Sequence, residues 1–252
     1  MKSKTYFSII TVVYNNADHI NGAIQSVLSQ DYPHIEYIVV DGGSTDGTVE
    51  AIELFGNQIQ VFLSEPDNGI YDALNKGIAS SSGDVIGVLH SDDLFAHDGV
   101  VSQIASAFIE DKTDVAYGDL DYVKKHQVNT VVRHWRAGEF SLGKLTHGWM
   151  PPHPTFCVRR VLYEQLGMYD LSYNIAADYE CMLRFLSKQG LRVSYIKEVL
   201  VKMRVGGTSN KSLINIFQKS REDYRALKSN HVGGIFALFM KNLSKLPQFF
   251  IR

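Results

Sequence analysis

Cysteine is scarce in this sequence of 252 residues, and neither sign of charge dominates. The only two cysteines, Cys157 and Cys181, exclude a disulfide-based scaffold and a zinc site of several cysteine ligands, and they fit a reduced cytosolic protein best. The 25 basic and 27 acidic residues give a formal net charge of -2, so no basic excess is available to neutralise nucleic-acid phosphates. We therefore expect no nucleic-acid partner.

Long apolar runs are also missing. No stretch approaches the roughly 20 apolar residues that a bilayer-spanning helix needs, which argues against a membrane-spanning protein. The N-terminal segment MKSKTYFSIITVVYNN is basic and then briefly apolar, but it lacks the long apolar core and the cleavage site of a signal peptide. We expect it to hold the first strand of a cytoplasmic protein.

Two glycine-rich phosphate-binding motifs are absent. No G-x-G-x-x-G follows the first predicted strand, which removes the main support for a nicotinamide-dependent oxidoreductase. No G-x-x-x-x-G-K-[ST] is present either, which argues against a P-loop ATPase. The phosphates of a bound nucleotide would have to be neutralised in another way, for example by a divalent metal held by one or two carboxylates.

The first half of the chain alternates strand and helix patterns. The run FSIITVV is β-branched and continuously apolar, as in strands that are buried on both faces. Apolar residues at helical spacing follow each predicted strand, which indicates a mostly parallel sheet with crossover helices. The predicted strands are residues 7–13, 36–40, 59–63 and 84–89.

The second half is less regular. Residues 114–123 and 130–136 are predicted to form antiparallel strands, and the three prolines of WMPPHPTFCVRR exclude a helix interior. Residues 176–190 are predicted to form a helix that stops at Gly190. Residues 191–196 and 199–205 are predicted to form two late strands.

Three polar segments follow predicted strands: YNN (14–16), DGGSTDGT (41–48) and HSDD (90–93). Ligands of parallel α/β sheets bind beyond the carboxyl ends of the strands, so these segments are expected to meet there. Asp41 is the better candidate for ligand contact, because helix capping explains Asp46 fully. Adjacent Asp92 and Asp93 repel each other unless a cation or a solvated loop neutralises them, so a metal site and a simple polar turn are both open.

The chain becomes basic from residue 211 onward. The last segment, GGIFALFMKNLSKLPQFFIR, combines apolar residues with lysines and an arginine and has no acid. This composition is typical of an interfacial amphipathic helix that is attracted to anionic lipid. A terminal helix docked on the domain, or on another subunit, would explain the apolar residues equally well.

Two long segments carry a family resemblance over roughly residues 6–205. They are ITVVYNN…SVLSQDYPHIEYIVVDGGSTDGT…DNGIYDALNKGIASSSGDVIGVLHSDD and PHPTFCVRRVLYEQLGMYDLSYNIAADYECMLR. Together they resemble the inverting family-2 glycosyltransferases. The resemblance implies an α/β GT-A fold, with a Rossmann-like, mostly parallel central sheet, flanking helices and a smaller antiparallel acceptor-side part. It divides the chain into a nucleotide-sugar-binding half (1–98), an acceptor-binding and catalytic half (99–210) and a C-terminal helical, basic extension (211–252).

The resemblance also implies roles for particular residues. Asp178 would be the catalytic base, and Asp92 and Asp93 would hold Mn²⁺ or Mg²⁺. The nucleotide-sugar site would comprise Thr11, Tyr14, Asn15, Asp41, Asn68, Gly69, Asn75, Lys76, Ser91 and Asp92. The acceptor site would include His153, Thr155 and Trp149.

This chain departs from the family pattern at three positions. Gly42 stands where the family often has a second aspartate, which leaves fewer carboxylates to read the base. His90 stands where a full DxD motif has an acid, so which of the two following aspartates binds the metal stays open. Ala177 precedes the expected base, where an acid is common.

The expected activity is metal-dependent, inverting transfer of a sugar from a UDP-sugar to a hydroxyl of a saccharide acceptor in surface polysaccharide synthesis. Such acceptors are commonly carried on a polyprenyl diphosphate, which would place the protein peripherally at the inner face of the cell membrane. The alternative is a nucleotide-sugar-binding protein without catalysis. That alternative would require the loss of the base or of the metal carboxylates, and both are present.

Overall fold

The structure is a computed structural model that describes residues 4–206 and 213–243. Its first half contains β1 (Phe7–Val13), α1 (Ala17–Leu28), β2 (Ile35–Asp41), α2 (Thr48–Glu53), β3 (Val61–Ser64), α3 (Ile70–Ala79) and β4 (Val85–Val88). These four strands are parallel and lie in the order β3-β2-β1-β4. Every residue of β1 is buried, as its continuous apolar run predicts.

The second half continues the same sheet. It contains β5 (Leu94–Phe95), α4 (Val100–Glu110), β6 (Val115–Lys124), β7 (Gln127–Trp135), α5 (Leu142–Leu145), β8 (Cys157–Arg159), α6 (Arg160–Leu166), α7 (Ala177–Leu186) and β9 (Val193–Arg204). In the described part of the chain, the sheet runs on from β4 through β8, β6 and β9 to β5, and β7 pairs with β6. Strand β8 is antiparallel to both of its neighbours, so it joins the parallel half to the rest.

One strand replaces the two late strands predicted at 191–196 and 199–205. Strand β9 pairs in parallel with β6 along its length, and the register shifts between Gly118 and Leu120 of β6. Lys197 and Glu198 are exposed at this irregularity. The prediction was wrong because these two charged residues resemble a loop in the sequence, whereas they form a bulge within one strand.

Helices cover both faces of the sheet. On one face Ile9 belongs to a core cluster with Ile24 and Phe108, from α1 and α4. On the other face Ile10 belongs to a second cluster with residues of α3 and α7, such as Leu74 and Leu183. Alternate residues of β1 thus enter opposite cores, as expected for a strand that is buried on both sides.

The chain ends, within its described part, with α8 (Leu213–Ser229) and α9 (Ile235–Leu243). Ala226 and Ala237 belong to the same core cluster as α7, so these helices pack on the domain. Glu222 of α8 accepts hydrogen bonds from the backbone N–H groups of Ile175 (2.8 Å) and Ala176 (3.0 Å), just before α7 begins. None of the described helices combines the length and the apolar character needed to cross a membrane.

Candidate active site

The three polar segments that were predicted to converge do meet at the carboxyl edge of the parallel strands. The N–H of Asn15 donates to Ser44 Oγ (2.8 Å), and Asn15 Oδ1 accepts from the N–H of Thr45 (2.9 Å). Asn16 Nδ2 donates to Ser91 Oγ (2.9 Å), which joins the first segment to the loop after β4. Loops from three different strands therefore form one connected edge.

Asp41 organises the loop after β2. Its side chain is fully buried, and its Oδ2 accepts hydrogen bonds from the N–H groups of Gly43 and Ser44, both at 3.0 Å. The hydroxyls of Ser44 (2.5 Å, to Oδ1) and Ser64 (2.8 Å, to Oδ2) also donate to this carboxylate. Three of these four bonds reach Oδ2, and no part of the side chain is exposed, so Asp41 supports the loop from within.

Asp46 supports two helix starts, as the capping interpretation predicts. Its Oδ1 accepts from the N–H of Thr48, at the start of α2 (3.1 Å). Its Oδ2 accepts from the N–H of Ala17, at the start of α1 (3.2 Å). Both helices begin at the candidate site, so Asp46 fixes the position of the loops that form it.

Several residues predicted to contact the nucleotide sugar already bond to other residues of the protein through their polar groups. Thr11 is fully buried, and its Oγ1 accepts from the hydroxyl of Tyr37 (3.0 Å). Both ends of the Asn75 amide bind the backbone of Tyr169, at 2.9 Å each. Lys76 forms an ion pair with Glu65 at 2.8 Å, which raises the pKa of its ammonium group.

Other predicted residues do face the open edge. Tyr14 is 65% exposed, and Asn68 and Gly69 are exposed at the start of α3. Gly69 has a φ of 105°, a backbone conformation that a residue with a side chain rarely adopts. The structure thus divides the predicted nucleotide residues into an exposed group and a supporting group.

The loop after β4 carries Asp92 and Asp93 in different environments. Asp92 is half-buried, and its carbonyl oxygen accepts from Arg204 Nη1 (2.5 Å), at the end of β9. Asp93 is fully buried, and neither of its carboxylate oxygens has a partner among the described residues. Burial, reinforced by the Asp92 charge, raises the pKa of Asp93 well above its usual value. Of the two aspartates expected to hold a metal, Asp92 is thus the partly exposed one and Asp93 the fully buried one.

A pair of histidines lies beside this loop. The rings of His90 and His153 are 5.6 Å apart, and His153 Nε2 is 2.9 Å from the hydroxyl of Tyr169. Burial and then the proximity of His153 lower the pKa of His90 to about 4, and burial also lowers the pKa of His153. Both imidazoles are therefore neutral near pH 7, so His90 does not replace the missing acid with a charge of either sign.

Asp178 stands half-buried in the first turn of α7, and its charge, like that of Asp92, is close enough to His90 to act on the pKa of that imidazole. Its Oδ1 accepts a hydrogen bond from the hydroxyl of Tyr71 on α3 (3.2 Å), and that hydroxyl also donates to the carbonyl oxygen of Ile175 (2.7 Å). Burial raises the pKa of Tyr71 above its usual value, and the charge of Asp178 raises it further. Tyr71 thus stays protonated and orients the carboxylate.

The predicted acceptor residues are mostly part of the packing. Thr155 is buried and its hydroxyl donates to the carbonyl oxygen of Gly118 (3.0 Å). Trp149 Nε1 donates to the carbonyl oxygen of Ala137 (2.8 Å), and its ring packs against Tyr117. His153 contacts both Tyr169 and His90 of the loop after β4, so it is the one of the three that lies beside the residues of the candidate site.

The family resemblance implies a divalent metal. Across residues 4–206 and 213–243, no three His, Cys, Asp or Glu side chains are grouped so that they could hold a metal by themselves. Asp92 offers one accessible carboxylate, and Mg²⁺ commonly takes one or two protein carboxylates together with waters and substrate phosphates. These donors fit a metal that is shared with a diphosphate, with Asp92 as the protein ligand.

Sequence patterns missed three residues that shape this site. Tyr71 orients Asp178, and Glu222 fixes the segment before α7. Arg204 holds the loop after β4 through the carbonyl oxygen of Asp92. Tyr71 lies inside the segment DNGIYDALNKG, so its neighbours in the sequence are a signal that could have identified it. Glu222 and Arg204 lie 47 and 112 residues from their partners, and no local pattern marks either.

Comparison with known proteins identifies the family of this chain. Residues 8–168 match the model of Glycosyl transferase family 2. An uncharacterized glycosyltransferase of Mycobacterium tuberculosis is 36% identical over 190 residues, which cover 73% of this chain and 70% of that protein. An uncharacterized glycosyltransferase of Rickettsia typhi is 32% identical over 265 residues, which cover all of this chain and 78% of that protein.

Two solved structures share the fold. S. aureus TarS 1–349 in complex with UDP-GlcNAc matches with a TM-score of 0.70 and 18% identity, over 90% of this chain and 66% of that one. The mannosyltransferase PcManGT from Pyrobaculum calidifontis, in complex with GDP-Man and Mn²⁺, matches with a TM-score of 0.68 and 17% identity, over 97% and 71%. The chain spans only 39% of the longer TarS chain. With a GT-A-type fold and a family model matched over most of its length, the protein belongs to glycosyltransferase family 2.

Proposed function

We propose that this protein transfers a sugar from a UDP-sugar to a hydroxyl group of a saccharide acceptor, with inversion at the anomeric carbon and with the help of a divalent metal. The observation that carries the proposal is the position of Asp178. It stands at the start of α7 on the edge that also bears Asp92, and Tyr71 of the nucleotide half orients it. A general base and a metal carboxylate therefore share one open edge, and the neighbours' UDP-GlcNAc and GDP-Man ligands support a nucleotide-sugar donor.

The proposed reaction is a single displacement. Asp178 removes the proton from the acceptor hydroxyl, whose oxygen bonds to the anomeric carbon while the bond from that carbon to the diphosphate breaks. When bound, a divalent metal would neutralise the charge that develops on the departing diphosphate. Asp92 would hold that metal, and the Arg204 bond to the Asp92 carbonyl would keep the loop in place. Attack from the face opposite the leaving group inverts the anomeric centre.

The first test replaces the proposed base. The Asp178→Asn variant keeps the shape of the side chain but cannot take up a proton, so we expect UDP binding to remain and transfer to fall by about 10²–10⁴-fold. Release of UDP is measured across a panel of UDP-sugars, with and without Mn²⁺, on both proteins. Near-normal turnover in Asp178→Asn would refute the role of Asp178, and a wild-type protein that binds no UDP would refute the proposed donor.

The acceptor is proposed to be lipid-linked, and α9 supports contact with an anionic membrane. Its apolar residues Ile235, Phe236 and Phe239 are 73%, 60% and 60% exposed. Lys241, in contrast, is buried, where its ammonium pairs with Asp223 (2.8 Å). Lys241 of the basic segment is therefore not available to lipid, and Lys245 and Arg252 of the same segment lie outside the described residues. The helix docks through Ala237, Leu238 and Lys241 and leaves other apolar residues outward.

The membrane contact is tested by sedimentation with liposomes. The double variant Phe236→Ser/Phe239→Ser should lose binding to vesicles that contain anionic lipid, because it removes two of the outward apolar side chains. Phe217→Ser is the control, since Phe217 of α8 is 76% exposed but lies on another helix. Equal binding by the two variants and the wild type would contradict the proposed membrane contact.

A further inference from the structure

The space beside Gly42 is filled by a carboxylate from another part of the chain. A Cβ atom built on Gly42 would lie 2.3 Å from Asp67 Oδ2 and 3.0 Å from Asp67 Cγ. Real Cβ atoms do not approach other atoms so closely, so any side chain at position 42 would displace Asp67. The carboxylate that the sequence lacks at position 42 is therefore supplied, at nearly the same place, by Asp67.

The neighbouring carboxylate cannot take this role. Asp41 is fully buried and already accepts four hydrogen bonds from its own loop and from Ser64. Because no part of Asp41 is exposed, its carboxylate does not reach a ligand in this arrangement. If a carboxylate meets a ligand at the end of β2, it must come from another residue.

Asp67 is both held in place and partly free. Its Oδ1 accepts a hydrogen bond from the N–H of Gly69 (2.8 Å), which fixes the orientation of the side chain. Its Oδ2, the oxygen beside Gly42, receives no hydrogen bond from any described residue, and the side chain is half-buried. One oxygen is thus anchored while the other is available.

The position fits a nucleobase. Asp92 follows β4, which is separated from β2 by β1 alone. Two inter-strand spacings of about 4.8 Å place the end of β2 about 10 Å from the end of β4. A nucleotide whose diphosphate lies at Asp92 would extend along this edge, with its base toward Gly42, where no side chain blocks a flat ring.

We propose that Asp67 reads the nucleobase, its Oδ2 accepting a hydrogen bond from a ring N–H. This inference rests on the proposed function and adds a choice among bases. Uracil presents a donor at N3–H, and guanine presents donors at N1–H and N2–H. Cytosine and adenine present a lone pair at the corresponding ring nitrogen, which a carboxylate repels. Uridine and guanosine diphosphates are therefore preferred over those of cytidine and adenosine.

The test is a substitution that should change the preference as well as weaken binding. In Asp67→Asn the amide oxygen can still accept from Gly69, which leaves Nδ2, a donor, facing the base. We expect UDP affinity, measured by calorimetry with Mg²⁺, to fall at least tenfold, while CDP affinity stays the same or rises. An unchanged ratio of UDP to CDP affinity in Asp67→Asn would overturn the proposal.

Two further variants separate base reading from simple loss of charge or of structure. Glu65→Gln removes a charge two residues away, so it should change UDP and CDP affinities by the same factor. Gly42→Asp alone should weaken UDP binding, because its side chain collides with Asp67. The double variant Gly42→Asp/Asp67→Gly returns the carboxylate to position 42 and should recover UDP preference over CDP.

The outcomes distinguish this proposal from the proposed function. If the wild type binds UDP but Asp67→Asn and Glu65→Gln behave alike, Asp67 does not read the base and the donor assignment survives. If the double variant folds, as judged by its thermal transition, and still shows no preference for UDP over CDP, the exchange between positions 42 and 67 is refuted. If the wild type binds none of the nucleotides, both proposals fail.

Discussion

Two aspartates are fully buried, Asp41 at the end of β2 and Asp93 in the loop after β4. Their hydrogen-bonding environments are opposite. Asp41 accepts four hydrogen bonds from its own loop and from Ser64. Asp93 receives none from the described residues, and its pKa is raised well above the usual value, mainly by burial. The protein surrounds the first carboxylate with hydrogen-bond donors. Burial without such donors disfavours the charged form of the second.

This difference shows that burial alone does not reveal what an acidic motif does. The hydrogen bonds of Asp41 hold the acidic loop after β2 together. The carboxylate proposed to contact a ligand there is that of a neighbouring residue, Asp67. The loop after β4 divides its two acids, so that Asp92 faces the site and Asp93 faces inward. Four substitutions test this difference, in order of decreasing expected effect.

The largest effect is expected from Asp92→Asn, the exposed member of the second loop. The change keeps the side-chain size but removes the charge that would hold a metal shared with a diphosphate. Stabilisation of the leaving group by a metal contributes several kcal/mol, so we expect UDP release to fall at least about a hundredfold. The rate is measured as a function of Mn²⁺ concentration. A variant that keeps both its rate and its Mn²⁺ dependence would show that Asp92 is not the ligand.

Asp41→Asn tests the satisfied member of the pair. An amide offers a single acceptor oxygen to four donors and turns an N–H₂ group toward some of them, leaving buried N–H groups without partners. Each such group costs about 1–3 kcal/mol, so we expect a loss of about 2–4 kcal/mol in the free energy of unfolding. The midpoint of urea unfolding measures it. A loss below about 1 kcal/mol would mean that the loop rearranges freely around this position.

Glu222→Gln extends the comparison to a third buried acid that is satisfied by backbone N–H groups. Burial alone would raise the pKa of Glu222, but hydrogen bonds from Ile175, Gln218, Ala176 and Asn174 outweigh it and lower the pKa. Because the folded-state pKa is the lower one, the stabilisation is present above the unfolded value of about 4.3 and disappears as the pH falls through the folded value.

We therefore expect Glu222→Gln to cost about 1–2 kcal/mol at pH 7 and progressively less at acidic pH. Unfolding by urea at a series of pH values measures the difference between the variant and the wild type. A difference that stays constant from pH 7 to pH 3 would contradict the linkage. Because Glu222 holds the segment before α7, the variant should also turn over more slowly than the wild type.

Asp93→Asn is expected to have the smallest effect, and it is the matched counterpart of Asp41→Asn. Burial raises the pKa of Asp93 and so disfavours its charged form. A neutral amide of the same shape should therefore be tolerated, and we expect stability within about 1 kcal/mol of the wild type. The same urea experiment gives the answer. A large loss of stability, or a loss of Mn²⁺ dependence as great as that of Asp92→Asn, would show that Asp93 is ionised and binds the metal.

Local patterns in the sequence were sufficient to predict the parallel half of the fold. The continuous apolar run of β1 and the helical spacing of Ile20 and Ile24 each lie within a few consecutive residues. The position of Asp178 at the start of a helix, and the convergence of the three polar segments, follow from that topology. These features depend on periodicity and chain order, which the sequence displays directly.

The contacts that complete the site depend on residues far apart in the chain. Nothing near Gly42 in the sequence indicates that Asp67 fills the adjacent space, and nothing near Asp178 indicates that Tyr71, 107 residues away, donates to it. The different burial of Asp92 and Asp93 could not be predicted from the sequence either, because it depends only on the direction in which the turn points each side chain. Sequence patterns indicated the candidate residues, whereas the contacts that position them depend on tertiary packing.

The continuity of the sheet restricts how this molecule can move. Strand β8 bonds to β4 at Ile86 and to β6 at Ala116, and the Asn75–Tyr169 and Tyr71–Asp178 bonds link α3 to the second half of the chain. A hinge motion that separates the two halves would break the inter-strand hydrogen bonds of β8 in the middle of the sheet. The amide hydrogens there are expected to exchange most slowly. Access for a substrate must therefore come from motion of the loops at the rim, while the central frame stays rigid.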